Sequence, residues 1–220
     1  MSEPDPSHDP HQLPDGLPQP VDDGACDRLP GAEVPHRALV STGGGTVDLD
    51  RSAARWTVVF VYPRTGVPGR AMPDGWDSIP GARGCTPQAC AYRDRYQSLL
   101  DLGAEVYGLS TQTNEAQQEF AEREHLPFAL LSDPDRRWGQ ALGLPTFTVD
   151  GAVLYRRVTL VLQEGRVAHV RYPVYPTDED AGCVAAWIGA QDDTARAASP
   201  RGHVSIEAAA AAVRADPDTR

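Results

Sequence analysis

The run Thr57–Tyr62, TVVFVY, constrains this chain more than any other feature of it. β-Branched and aromatic residues follow one another without the polar alternation of a strand that faces water on one side. Such a strand is buried on both faces, so its sheet needs cover above and below. The following residues supply it by alternating helices with strands. Thr86–Leu102 carries Ala89, Tyr92, Tyr96, Leu99 and Leu100 at helical spacing, with Pro87 tolerated in the first turn and Gly103 at the end. Glu105–Ser110 reads as a strand. Asn114–His125 reads as a helix, with Asn114 and Gln117 at capping-box spacing. A short strand Phe128–Leu131 and a short helix Asp135–Leu142 come next. Arg157–Gln163 and Val167–Tyr172 flank Glu164-Gly165, a two-residue hairpin signal. Thr177 is placed to cap a last helix, Asp178–Gly189, with Asp180 in its first turn. The order predicts an α/β chain: a mixed central sheet with helices on both faces, closed by an antiparallel hairpin.

The ends read differently. Residues 1–28 are dense in Pro, Asp and Gly and are expected to be disordered. Residues 29–191 form the predicted domain. Residues 192–220 are expected to be a mobile tail, in which Ser205–Val213 has the alanine content of a short helix. The formal net charge of −11 repels nucleic acid backbones and anionic membranes. All 20 basic residues are arginine, which rules out a lysine nucleophile. No apolar stretch is long enough to span a bilayer, and the N-terminus has neither the basic nor the apolar part of a secretory signal. A cytoplasmic, reducing compartment is expected. There the 4 cysteines, Cys26, Cys85, Cys90 and Cys183, are expected to serve chemistry and not to staple the fold.

Cys85 falls at the predicted start of a helix, where unpaired N–H groups and the helix dipole favour thiolate over thiol. Cys90 lies five residues on, which in an intact helix is a rise of about 7.5 Å. Disulfide geometry wants Cα atoms within about 6.8 Å, so any bond between the two requires that turn to unwind. Taken alone, Cys90 on its apolar stripe also fits a small buried hydrophobe. Zinc is disfavoured: the spacing is C-x4-C, no second pair follows, and neither His36 nor His125 sits at ligand spacing. Cys183 is expected in the core, and Cys26 exposed in the disordered head.

Gly84-Cys85-Thr86-Pro87-Gln88-Ala89-Cys90-Ala91-Tyr92-Arg93-Asp94 resembles the G-C-T-x-x-A-C-x-[FY]-R-D signature of the peroxiredoxins, closest to the bacterioferritin-comigratory, or Q-type, branch. Phe60-Val61-Tyr62-Pro63, Gly108-Leu109-Ser110, Leu126-Pro127-Phe128 to Asp133, and Arg157 to Leu162 extend the likeness over roughly residues 29–190. The resemblance implies a thioredoxin-like fold and reduction of hydrogen peroxide or organic hydroperoxides. It gives the peroxidatic role to Cys85 and the resolving role to Cys90. Pro63 would shield the thiolate, and Arg157, in preference to its neighbour Arg156, would stabilise it and orient the peroxide. Thioredoxin or a similar dithiol protein would recycle the disulfide. No metal, flavin or nucleotide cofactor is required, and one chain suffices, so a monomer is expected.

The sequence departs from the family pattern before the cysteine. A long segment, residues 64–84, separates Pro63 from Cys85, and Ala82 stands three before Cys85 where the family has Thr or Ser. Thr65 is the first candidate to supply the missing hydroxyl and Ser78 the second. Within this Pro- and Gly-rich insertion, Met72 and Trp76 either fold over the mouth of Cys85 or pin a surface excursion to the body. Two rival activities share these residues: a general thiol–disulfide oxidoreductase, which the missing C-x-x-C disfavours, and a redox sensor in which the cysteine pair switches a surface.

Overall fold

The computed structural model describes His11 and residues 13–198. In chain order these form strands β1 (Leu39–Ser41), β2 (Thr46–Val47) and β3 (Trp56–Val61); helices α1 (Cys85–Asp94) and α2 (Tyr96–Asp101); β4 (Ala104–Ser110); α3 (Asn114–Arg123); β5 (Leu130–Ser132); α4 (Arg137–Leu142); β6 (Thr146–Val149) and β7 (Ala152–Tyr155); β8 (Val158–Gln163) and β9 (Arg166–Arg171); and α5 (Asp180–Ala198). The main sheet has the order β2-β1-β5-β4-β3-β8-β9, and β6-β7 stands apart as a hairpin. β3 runs parallel to β4 and antiparallel to β8. The architecture is the mixed α/β sheet expected from the alternation of elements.

Every residue of β3 is buried, as a central strand covered on both faces must be. Its side chains alternate between two cores. Val59 and Val61 join Leu109 of β4, Leu131 of β5, Leu160 of β8 and Trp138 of α4 on one face. Trp56, Val58 and Phe60 join Ala89 and Tyr92 of α1, Phe120 of α3 and Val184 and Ile188 of α5 on the other. Tyr92 stacks on Phe60 at 4.5 Å and 9°, an aromatic pair worth about 1 kcal/mol beyond the area it buries. That contact clamps α1 to the strand whose exit loop carries the active segment.

Several boundaries differ from expectation. The helix predicted over 86–102 starts at Cys85 and breaks at Arg95, whose φ of −107° and ψ of 7° leave the helical region. The break turns Tyr96 against Phe128, with ring centroids 5.6 Å apart. Thr113, not Asn114, caps α3 by accepting from Ala116 N–H. Gln117 is no capping residue. It is buried and braces β3 to β5, accepting from the Tyr62 hydroxyl at 2.5 Å and donating to Leu131 O at 2.8 Å. The β6–β7 hairpin turns on Asp150-Gly151, with φ of 49° and 73°, the left-handed pair that a tight hairpin requires.

The expectation of disorder up to residue 28 is corrected at its end. Cys26 and Leu29 are only 5% and 2% exposed, inside the α4 face of the core. Asp23 accepts from the Tyr172 hydroxyl at 2.9 Å and pairs with Arg156 at 3.1 Å. Beyond it, Gly31 and Val34 N–H groups bond Val167 and Gly165 carbonyls along the edge of β9. Apolar content alone underrated this segment because its few apolar residues dock into a groove built by others. α5 runs on past Gly189 to Ala198; the helix expected over Ser205–Val213 lies outside the described residues. Among the described residues no helix is long and apolar enough to cross a membrane.

Candidate active site

The loop leaving β3 returns to the sheet at Gly84, whose φ of 102° suits glycine alone. A Cβ there would meet Thr177 Oγ1 at 2.5 Å. Thr177 therefore packs on the active segment, and its buried hydroxyl makes no hydrogen bond among the described residues, so it is not the side-chain cap expected for α5. Cys85 is the first residue of α1, and the first regular helical bond runs from Gln88 N–H to Gly84 O at 3.0 Å. The N–H groups of Cys85 and Thr86 have no acceptor one turn back, and Pro87 has none to offer. The Cys85 side chain is 5% exposed. Its Sγ lies 3.7 Å from Ala82 O and receives Arg157 Nη2 at 3.2 Å.

Arg157 enters β8 with its guanidinium turned inward, 4% exposed. Nε donates to Gly81 O, and Nη2 to Ala82 O and Arg83 O as well as to the sulfur. The side chain thus holds the end of the insertion in place while presenting positive charge to Cys85. Its neighbour Arg156 faces outward to Asp23 and the Tyr172 hydroxyl. Nη1 of Arg157 donates to Gln88 Oε1 at 2.5 Å. Gln88 Nε2 in turn donates at 2.8 Å to Asp180, a carboxylate 0% exposed. Asp180 also accepts from the Tyr92 and Thr159 hydroxyls and from Arg171. A guanidinium cannot accept and a carboxylate cannot donate, so Gln88 has a single allowed orientation between them.

Gln88 and Asp180 escaped the sequence reading as functional residues. The visible signal was a glutamine on the buried stripe of a helix between two cysteines. Gln88→Met keeps the volume and removes the bridge. Arg157 retains its carbonyl and sulfur contacts, so, with Cys85 as the peroxide-attacking thiol that the resemblance implies, its oxidation is expected to slow by about tenfold, the scale of one hydrogen bond to a charged group. Stopped-flow oxidation of the variant, with a melting curve as control, measures this.

The insertion closes over the sulfur. A cavity of about 30 Å³ lies at Cys85, walled by Thr86, Arg83, Ala82, Arg64, Met72 and Trp76. Trp76 is 2% exposed and, with Ala82, Val149 and Leu154, forms a small third core against the β6–β7 hairpin. Both readings of the insertion meet here: Trp76 anchors it to the body, and the anchored loop walls the cavity. Pro63 is buried at the end of β3, its carbonyl accepting from the Ser110 hydroxyl at 3.1 Å. Thr65 is buried, but its hydroxyl donates to Gln112 Oε1 at 3.0 Å, and it does not line the cavity. Ser78 is exposed. The wall residue that carries a hydroxyl is Thr86, 2% exposed, a fixed position of the signature to which no hydroxyl role was assigned.

Cys90 sits on the same intact helix, turned away from Cys85. Five residues rotate the side chain by about 140° beyond a full turn. Its Sγ donates to Glu124 Oε2 at 3.6 Å, at the end of α3. Burial, with Glu124 beside it, pushes the Cys90 thiol up from 9.0 to about 11, against the pull of Arg93. All four cysteines are free. Cys26 is buried, where exposure was expected, and Cys183 is half-buried on α5 instead of enclosed in the core.

Comparison with known proteins follows the same outline. The Redoxin family profile matches residues 29–186. The chain is 32% identical over 142 residues to "Peroxiredoxin Q, chloroplastic" of Sedum lineare, covering 64% of this chain and 67% of that one. To "Peroxiredoxin Bcp" of Bacillus subtilis it is 28% identical, over 62% of this chain and 80% of the other. Against two rice proteins of the first kind, the match spans 58% of their length. Among solved structures, peroxidoxin BcpB from Mycobacterium tuberculosis superposes with a TM-score of 0.60 at 25% identity, over 74% of this chain and 97% of that one.

Proposed function

Because this chain belongs to the redoxin family, as a peroxiredoxin of the Q/Bcp branch, we propose that it reduces hydroperoxides through attack by Cys85 and resolution by Cys90. The observation that carries this reading is the Arg157 Nη2 to Cys85 Sγ contact of 3.2 Å, with Cys85 itself lining a small cavity. A thiolate is the attacking form of cysteine, and a buried guanidinium held by three carbonyls and a glutamine is a fixed cation aimed at it. Preorganised charge of this kind does not reorganise as the reaction proceeds.

In the first step the Cys85 thiolate attacks one peroxide oxygen. The O–O bond breaks, a S–O bond forms, and the leaving oxygen takes a proton to become water or an alcohol. Arg157 faces the charge that moves from sulfur to the leaving oxygen. Cys85 is left as a sulfenic acid. Cys90 then displaces that hydroxyl as water and forms the disulfide. An external dithiol, thioredoxin or a protein like it, restores both thiols by exchange. Since both sulfurs lie on one helix, a single chain completes the cycle, and a monomer in the cytoplasm is the simplest setting.

The cavity of about 30 Å³ beside Cys85 has room for a peroxide group, since a water needs roughly 10–15 Å³, and its open side leaves space for a substituent to extend outward. The reading is tested by treating the reduced chain with one equivalent of hydrogen peroxide and mapping its thiols under non-reducing conditions. A Cys85–Cys90 disulfide within one chain is the expected product. Two intact thiols after the peroxide has been added in excess would overturn the assignment.

A further inference from the structure

Behind the catalytic cavity, Cys90 meets two other side chains. Glu124 is a buried carboxylate, 4% exposed, whose Oε2 lies 3.6 Å from Cys90 Sγ and 3.4 Å from His11 Nε2. The three ligand atoms all fall within 4.8 Å of one another. Zinc binds thiolate at about 2.3 Å and imidazole or carboxylate at about 2.0–2.1 Å in a tetrahedron, which puts the S–O edge near 3.6 Å and the N–O edge near 3.4 Å. Two of the three edges already have those lengths, and the third needs only a swing of the half-exposed His11 side chain.

We propose that Cys90, Glu124 and His11 form a zinc site whose occupancy withdraws the resolving thiol from the catalytic cycle. The surroundings suit that metal. Arg123 Nη1 holds the other carboxylate oxygen at 2.5 Å, which orients Oε2 toward the site. One thiolate and one carboxylate balance the charge of the dication, and the imidazole adds a neutral ligand of matching softness. Water completes the fourth position on the exposed side. Binding exchanges the Cys90 proton for the metal and changes no oxidation state. The Cys90 thiol is thereby converted to a bound thiolate that no longer attacks.

The regulatory half rests on the proposed peroxidase cycle; the binding half does not. Titration of the reduced full chain with zinc against a chromophoric chelator is expected to show one tight equivalent, retained by Cys85→Ser. Cys90→Ser is expected to weaken it by roughly a hundredfold or more, and His11→Ala or Glu124→Gln by at least about tenfold, since outer-shell partners alone carry about 10–100-fold. Equal affinity for wild type and Cys90→Ser, or no effect of His11→Ala, overturns the site. With zinc bound, hydrogen peroxide is expected to oxidise Cys85 at an unchanged rate, leaving a trappable sulfenic acid and no disulfide. Disulfide formation at the same rate with and without bound zinc overturns the regulatory role. If Cys85 is inert to peroxide in either state while zinc binds as described, the peroxidase reading fails and the metal site stands.

Discussion

Serine in place of Cys85 is expected to lower peroxide turnover to background, a loss of at least about 1,000-fold, because an alcohol at this position is not ionised and is a poor nucleophile. Serine at Cys90 is expected to act differently. The first oxidation does not use the Cys90 thiol, so Cys90→Ser should consume one equivalent of peroxide at a near-normal rate and then stop with Cys85 as a sulfenic acid. An added small thiol should restart it. Stopped-flow oxidation, followed by steady-state peroxide consumption with a thioredoxin system, separates the two phases. A sensor built on the same residues would oxidise once at a comparable rate in wild type and turn over poorly. Substantial steady-state turnover by Cys85→Ser would exclude the mechanism outright.

Arg157→Met is expected to slow the oxidation of Cys85 by about 100–1,000-fold, the range for removing one preorganised donor from a developing charge. The side chain does two jobs, and the variant must be read for both. Its N–H groups meet Gly81, Ala82 and Arg83 carbonyls. Leaving those acceptors dry costs about 1–3 kcal/mol each where they stay buried. Arg157→Lys distinguishes the roles. It keeps a cation near Cys85 but lacks the planar fork that reaches carbonyls, Gln88 and sulfur together. Partial rescue of the rate by lysine, with a melting temperature near that of the methionine variant, identifies the charge as the kinetic element. A methionine variant that oxidises at the wild-type rate removes Arg157 from the mechanism.

The centre of the sheet was legible because its signals are local. TVVFVY reads as a doubly covered strand, and Glu164-Gly165 falls between two runs that pair as β8 and β9, whereas the β6–β7 hairpin was not read. Other features depend on contacts that no local pattern announces. Cys26 and Leu29 read as part of a polar head, yet they are buried because β9 and α4 build the groove that receives them. Gln117 sits at capping-box spacing, but a buried tyrosine and two strand acceptors claim its amide instead. Around Cys85 the family spacing pointed to Arg157, which the structure puts against the sulfur. It also pointed upstream to Thr65 for a hydroxyl, whereas Thr86, on the helix itself, is the hydroxyl-bearing residue that lines the cavity.

Gln88 lies on the turn between the two sulfurs. Drawing them together must uncoil that turn and pull its amide out from between guanidinium and carboxylate. In the proposed cycle, making the disulfide would therefore take apart the arrangement around Cys85: Arg157 would lose its Gln88 contact until a donor has reset the coil. Such a device would be single-shot, each firing disarming the trigger until it is reloaded.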